Sequence, residues 1–181
     1  VALLSQGGSI VSHPDTATLG KPLKDSGLDV AVWQALIDNP GKAFEMTDAS
    51  GVASMAGGGT VACCLPATSF YLGAAYAPVQ DMVQAGVPVA MATDFNPGSC
   101  PCLNMQFVIN LGCLKYKLTP EEVLTAVTLN GAAAIDLADK VGSVEEGKLG
   151  DLVIWDAPDL DYICYRVGSN LAKTVIKRGK I

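Results

Sequence analysis

Two apolar runs constrain the architecture of this chain more than any other feature. Thr60-Val61-Ala62-Cys63-Cys64-Leu65 and residues 87–93 are apolar almost throughout instead of alternating, which is the pattern of parallel strands buried on both faces. The first run stops at Pro66, and residues 78–85 between the runs read as helical. Parallel strands cannot be joined by a tight turn, so strand, helix, strand here predicts a βαβ unit and an α/β fold. The second run ends by delivering Asp94 to the C-terminal end of its strand.

The flanking sequence adds further elements. Thr119-Pro120-Glu121-Glu122 has a capping threonine, a proline suited to the first helical position and a glutamate placed to complete a capping box. Val123, Ala126, Val127, Ala133 and Ala134 give that helix a buried face. Asp151-Leu152-Val153-Ile154-Trp155-Asp156 reads as a strand, and residues 174–180 as a strand and turn. Toward the start, Leu3-Leu4 and Ser9-Ile10-Val11-Ser12 are short β-like pieces, and Asn39-Pro40-Gly41 is a turn and boundary signal. Thr47 and Asp48 can cap a short helix running toward Met55, ended by Gly57-Gly58-Gly59.

Composition narrows the function classes. Hydrophobic residues make up 50% of the chain and charged residues 17%, which suits a globular core and not a disordered segment. The net charge of −6 and the scattered Lys and Arg exclude nucleic acid as the expected partner, since phosphate binding needs a concentrated basic face. No uncharged apolar run approaches the ~18 residues of a membrane span, and a signal-peptide pattern is missing from the first residues, so a cytoplasmic location is expected. Six cysteines in apolar settings then read as reduced thiols.

The most informative stretch for chemistry is Asp94-Phe95-Asn96-Pro97-Gly98-Ser99. A carboxylate at the mouth of a buried strand is costly unless a metal, a cation or hydrogen-bond donors meet it. The alternative is an Asx-type turn in which Asp94 only satisfies nearby backbone N–H groups. On spacing alone both readings stand. A thiolate zinc site from Cys63, Cys64, Cys100 and Cys102 is disfavoured, because adjacent strand residues point to opposite faces and structural zinc sites space their cysteines two to four apart. Asp136, Asp139, Asp156, Asp159 and Asp161 read as solvated charges, and Met105, Phe107 and Tyr116 as packing residues.

Ala92-Thr93-Asp94-Phe95-Asn96-Pro97-Gly98-Ser99 resembles the motif of imidazolonepropionases, which are metal-dependent amidohydrolases. The resemblance continues through Thr60-Val61-Ala62 with Leu65-Pro66, through Leu118-Thr119-Pro120-Glu121-Glu122 with Thr128-Leu129-Asn130, and through Gly142-Ser143-Val144-Glu145-Glu146-Gly147-Lys148 with Asp151-Leu152-Val153. It implies part of a (β/α)₈ TIM barrel, its C-terminal βα units, together with strands of a small β-sandwich. The implied divisions are residues 1–40 for N-terminal sandwich strands, 41–140 for the barrel part and 141–181 for the C-terminal sandwich strands. A complete barrel takes roughly 250 residues, so the fit of 181 residues is partial. A fragmentary, internally deleted or incompletely represented chain accounts for that.

The resemblance also implies an activity, hydrolysis of 4-imidazolone-5-propanoate to N-formimidoyl-L-glutamate in histidine degradation. It implies Asp94 as catalytic residue and metal ligand, Asn96, Gly98 and Ser99 as substrate-binding residues, one Zn or Fe ion, a small-molecule substrate and a homo-oligomer. The departures are equally specific. The family holds its metal with a His-x-His pair, a later His and the final Asp, whereas this chain has one histidine, His13, before Pro14. It reads as a surface loop residue, and Lys42-Ala43-Phe44-Glu45 stands where the later His belongs. A non-catalytic remnant is therefore the alternative, and negligible turnover is expected of this chain alone.

Overall fold

The computed structural model describes Leu3–Leu4, Ile10–Ser12, Val52, Met55, Ala56 and residues 60–181. By its contacts the chain divides into two units, Val1–Met46 and Thr47–Ile181. In the first, β1 (Leu3–Leu4) pairs antiparallel with β2 (Ile10–Ser12), Leu3 opposite Ser12. The expected surface placement of His13 and most of the helix expected toward Met55 lie outside the described residues, although Val52, Met55 and Ala56 are helical.

The second unit is built on the two apolar runs. β3 (Ala62–Cys64) and β4 (Val89–Met91) pair in parallel, with Ala62, Cys63 and Cys64 opposite Val89, Ala90 and Met91. All three residues of β4 are buried, while β3 buries Ala62 and Cys64 and exposes Cys63. The crossover holds the expected helix, α2 (Val79–Gln84), and an unexpected one before it, α1 (Pro66–Leu72). Pro66 ends the strand but also opens α1, because the first helical N–H needs no intrahelical partner. Gly73 closes that helix in the left-handed conformation at φ 63, which glycine adopts without strain.

Against this pair pack α3 (Met105–Leu114) and α4 (Pro120–Val127). Asn104 caps α3 by accepting the Phe107 N–H at 3.2 Å. The capping box of α4 forms as its sequence demands: Thr119 Oγ1 accepts the Glu122 N–H at 3.3 Å, and Glu122 Oε2 accepts the Thr119 N–H at 2.8 Å. The helix does not continue to Ala134. It breaks at Thr128 (φ −119, ψ −85), whose hydroxyl donates to the Leu124 carbonyl at 2.6 Å, and restarts as α5 (Leu129–Ala134). The break lets Asn130 Nδ2 donate to the Val89 carbonyl at 2.9 Å, tying α5 to β4.

Beyond it, β5 (Leu152–Trp155) and β6 (Ala172–Ile176) pair antiparallel around a second unexpected helix, α6 (Leu160–Tyr165). Asp159, read from sequence as a solvated charge, caps α6 by accepting the Tyr162 N–H at 2.8 Å. The core joins Val79, Met82, Val87, Val89 and Met91 of the crossover and its strand to Val108, Ile109, Leu111 and Val123 of α3 and α4, with Ile163 of α6. Each such side chain, fully buried, contributes roughly 1.5–3 kcal/mol. Among the described residues no helix is long and apolar enough to cross a membrane.

Candidate functional site at the end of strand β4

Asp94 follows β4 by three residues, half-buried and with φ at +54. Aspartate tolerates this left-handed backbone better than most residues, but the conformation needs support. Asn96 provides it, donating from Nδ2 to the Asp94 backbone carbonyl at 2.7 Å. The rest of the Asn96 carboxamide is engaged inside the loop. Oδ1 accepts the N–H groups of Gly98 at 2.9 Å and Ser99 at 2.7 Å, and the Ser99 hydroxyl lies 2.9 Å from Nδ2. The Asn96 N–H donates to the Cys100 carbonyl at 3.0 Å, and fully buried Cys100 anchors the far end of the loop.

An Asx turn is thus present, but Asn96 makes it rather than Asp94. The Asp94 carboxylate turns to α1 instead, where Thr68 Oγ1 donates to its Oδ2 at 2.7 Å. Thr68 is 7% exposed. Sequence reasoning missed it: with α1 unrecognised, nothing aimed that hydroxyl at a loop 26 residues away. A polar residue just after the proline that ends an apolar strand was the available signal.

The four singled-out residues therefore share one loop, and Asn96, Gly98 and Ser99 are hydrogen-bonded to one another. The Asp94 carboxylate is not part of that network. Nor does the site coincide with an open groove of about 360 Å³ at the other end of β4, lined by Val87, Leu118, Glu122 and Asn130 among others.

The thiols do not assemble around Asp94. Cys63 is exposed and Cys64 buried, on opposite faces of β3 as adjacent strand residues must be. Burial first and neighbouring Cys63 second push the Cys64 thiol up to about 12. Desolvation by the atoms packed around it also raises the Cys63 thiol, with the Asp94 carboxylate adding to the effect. Cys113 and Cys164, isolated in sequence, are brought together by α3 and α6. Burial, then the hydrogen bond with Cys113, raises the Cys164 thiol to about 12.

A metal needs several donors converging on one point. Among the described residues no group of three or more His, Cys, Asp or Glu is placed to hold one. Asp94 offers a single carboxylate with one oxygen already accepting from Thr68, and the only histidine, His13, lies outside the described residues. The described residues by themselves do not fit a metal ion.

Known proteins place the fold. An imidazolonepropionase from Alkaliphilus oremlandii is 51% identical over 133 residues, which are 73% of this chain and 32% of that protein. One from Streptococcus pyogenes is 42% identical over 156 residues, 86% of this chain and 37% of its own length. The chain spans about a third of the length of the curated relatives it matches. Among solved structures, an adenosine deaminase from Xanthomonas campestris with bound zinc superposes with a TM-score of 0.69 at 25% identity, over 75% of this chain and 35% of that one. Guanine deaminase of E. coli shares the fold at a TM-score of 0.63 and 19% identity, over 74% of this chain and 36% of its own. The sequence model of the amidohydrolase family matches residues 36–181. With its βαβ unit, its Asp94 loop and that match over most of its length, the chain belongs to the amidohydrolase family and carries part of the family's α/β barrel.

Proposed function

We propose that this chain represents part of an imidazolonepropionase, which hydrolyses the cyclic amide C–N bond of 4-imidazolone-5-propanoate to N-formimidoyl-L-glutamate in histidine degradation. The observation that carries the reading is identity of 46–51% to proteins of that name over 132–138 residues that include the Asp94 loop. Asp94 is the catalytic carboxylate and the family's metal ligand, and it takes a proton from the attacking water as the C–N bond is cleaved. Asn96, Gly98 and Ser99 position the substrate by fixing the loop that faces it. The cofactor is Zn or Fe, whose remaining ligands have to come from outside the described residues.

The same reading assigns residues 1–40 and 141–181 to the small β-sandwich and residues 41–140 to the barrel, in a cytoplasmic homo-oligomer. A second reading, a non-catalytic remnant, is favoured by the single histidine. The deciding experiment measures metal content and turnover of imidazolone propanoate on protein whose mass equals these residues alone. Metal-dependent turnover lost in Asp94→Ala establishes the enzyme. Protein free of metal and of turnover establishes the remnant for this chain taken by itself, which is the expected result.

A further inference from the structure

We infer that Thr68 is a positioning residue for Asp94, fixing which of its two carboxylate oxygens faces the site. The inference rests on the reading of Asp94 as the reactive carboxylate. Thr68 lies in the first turn of α1, two residues after the proline that follows β3, and it does not cap that helix: the cap position is Leu65, with no side-chain cap bond. The residue as a whole is buried, and a buried polar side chain needs a partner. The partner is Asp94 Oδ2, at 2.7 Å. A hydrogen bond onto a charged oxygen is among the stronger kinds.

Two neighbours thus restrain Asp94 from two directions. Asn96 holds the backbone carbonyl at 2.7 Å and with it the left-handed φ. Thr68 holds Oδ2 and thereby sets the rotation of the carboxylate about its last bond. Oδ1 accepts no hydrogen bond among the described residues, so it is the oxygen left to meet water or substrate. The clamp also joins the two parallel strands at the end where chemistry occurs, because Thr68 follows β3 and Asp94 follows β4. Reactive groups on barrel loops work only when held to a fraction of an ångström by such supporting contacts.

The test is a double-mutant cycle on the full chain using Thr68→Val, Asp94→Ala and the double variant, with Thr68→Ser as the conservative control. Valine keeps the size of threonine and removes the donor, while serine keeps the donor. Amide hydrogen exchange over residues 94–100 is the readout, with turnover measured alongside. Exchange should quicken roughly tenfold or more in Thr68→Val, return to the wild-type rate in Thr68→Ser, and not respond to Thr68→Val when Asp94 is already alanine. Equal effects of Thr68→Val with and without Asp94 overturn the assignment. If Thr68→Val does not fold, Thr68→Ser decides: wild-type exchange supports the clamp, and loosening despite the retained hydroxyl overturns it. Coupling without turnover in any form leaves the clamp standing and bears only on the enzymatic reading of this chain taken by itself. In any preparation that turns over, Thr68→Val should lower kcat with little change in KM.

Discussion

Gln106 accepts the backbone N–H of Leu171 on Oε1 at 2.9 Å, across 65 residues of chain. Its Nε2 donates to the carbonyls of Ile163 at 3.2 Å and Arg166 at 3.1 Å. One turn further along α3, Asn110 Nδ2 donates to Ile163 at 3.1 Å and Cys164 at 2.8 Å. The last carbonyls of a helix lack intrahelical donors, and those of α6 are satisfied by two buried side chains of α3. Gln106→Leu is similar in length and orphans the Leu171 N–H and the Arg166 carbonyl, while the Ile163 carbonyl keeps its bond from Asn110. It should destabilise the fold by on the order of 3 kcal/mol, read as a lower urea midpoint at unchanged slope.

Gly112 sits where α3 crosses the sheet. A Cβ there would fall 2.8 Å from Met91 Cε and 3.0 Å from Val123 Cγ2. Gly112→Ala should lower stability by about 1–3 kcal/mol through overpacking although alanine favours helix. Gly142→Ala should cost more, because φ is +97 and the new Cβ would lie 2.7 Å from that of Ala132. Thermal unfolding of the two variants checks the order.

Asp151 joins the β5–β6 ladder to the turn beyond it. Lys177 donates to Oδ2, and the Arg178 N–H donates to Oδ1 at 2.8 Å. The Lys177 hydrogen bond, then that of Arg178, lowers the Asp151 pKa below its ordinary value of 3.8. A depressed carboxylate stabilises the fold above its unfolded pKa and loses that contribution as pH falls through the folded one. Wild type should therefore exceed Asp151→Asn in Tm at neutral pH, with the gap beginning to close near pH 3.8 and vanishing at lower pH. A gap independent of pH refutes the assignment.

The cysteines should behave as six free thiols. Alkylation of the native protein at neutral pH should spare Cys100, which is fully buried, and Cys64, whose thiol is both buried and held protonated. In denaturant without reductant, mass spectrometry should count six modifications. A shortfall of two would locate a disulfide, and the contact between Cys113 and Cys164 is where to look for it.

Strands were legible where burial is two-sided, because Val89-Ala90-Met91 leaves no polar residue to misread. The α4 start was legible because Thr119, Pro120 and Glu122 each act within four residues. Elements fixed by distant contacts were not. Thr128 breaks a helix whose apolar pattern runs on unchanged, and α6 hides in an acidic stretch that looks solvated until Asp159 is seen capping it. The site divides in the same way. Asp94 was visible from its place after an apolar run, whereas the donor on its carboxylate came from a helix that Pro66 seemed to forbid.

The parallel β3–β4 pair has a consequence for synthesis. No turn can bring its strands together, so the edge of β3 that pairs with β4 leaves the ribosome open and stays so until α1, α2 and β4 have followed. At roughly 5–20 residues per second that interval is on the order of seconds. During it Ala62 and Cys64 lack the β4 partner they have in the folded chain, and that open edge is exposed to capture by chaperones or by other unfinished chains.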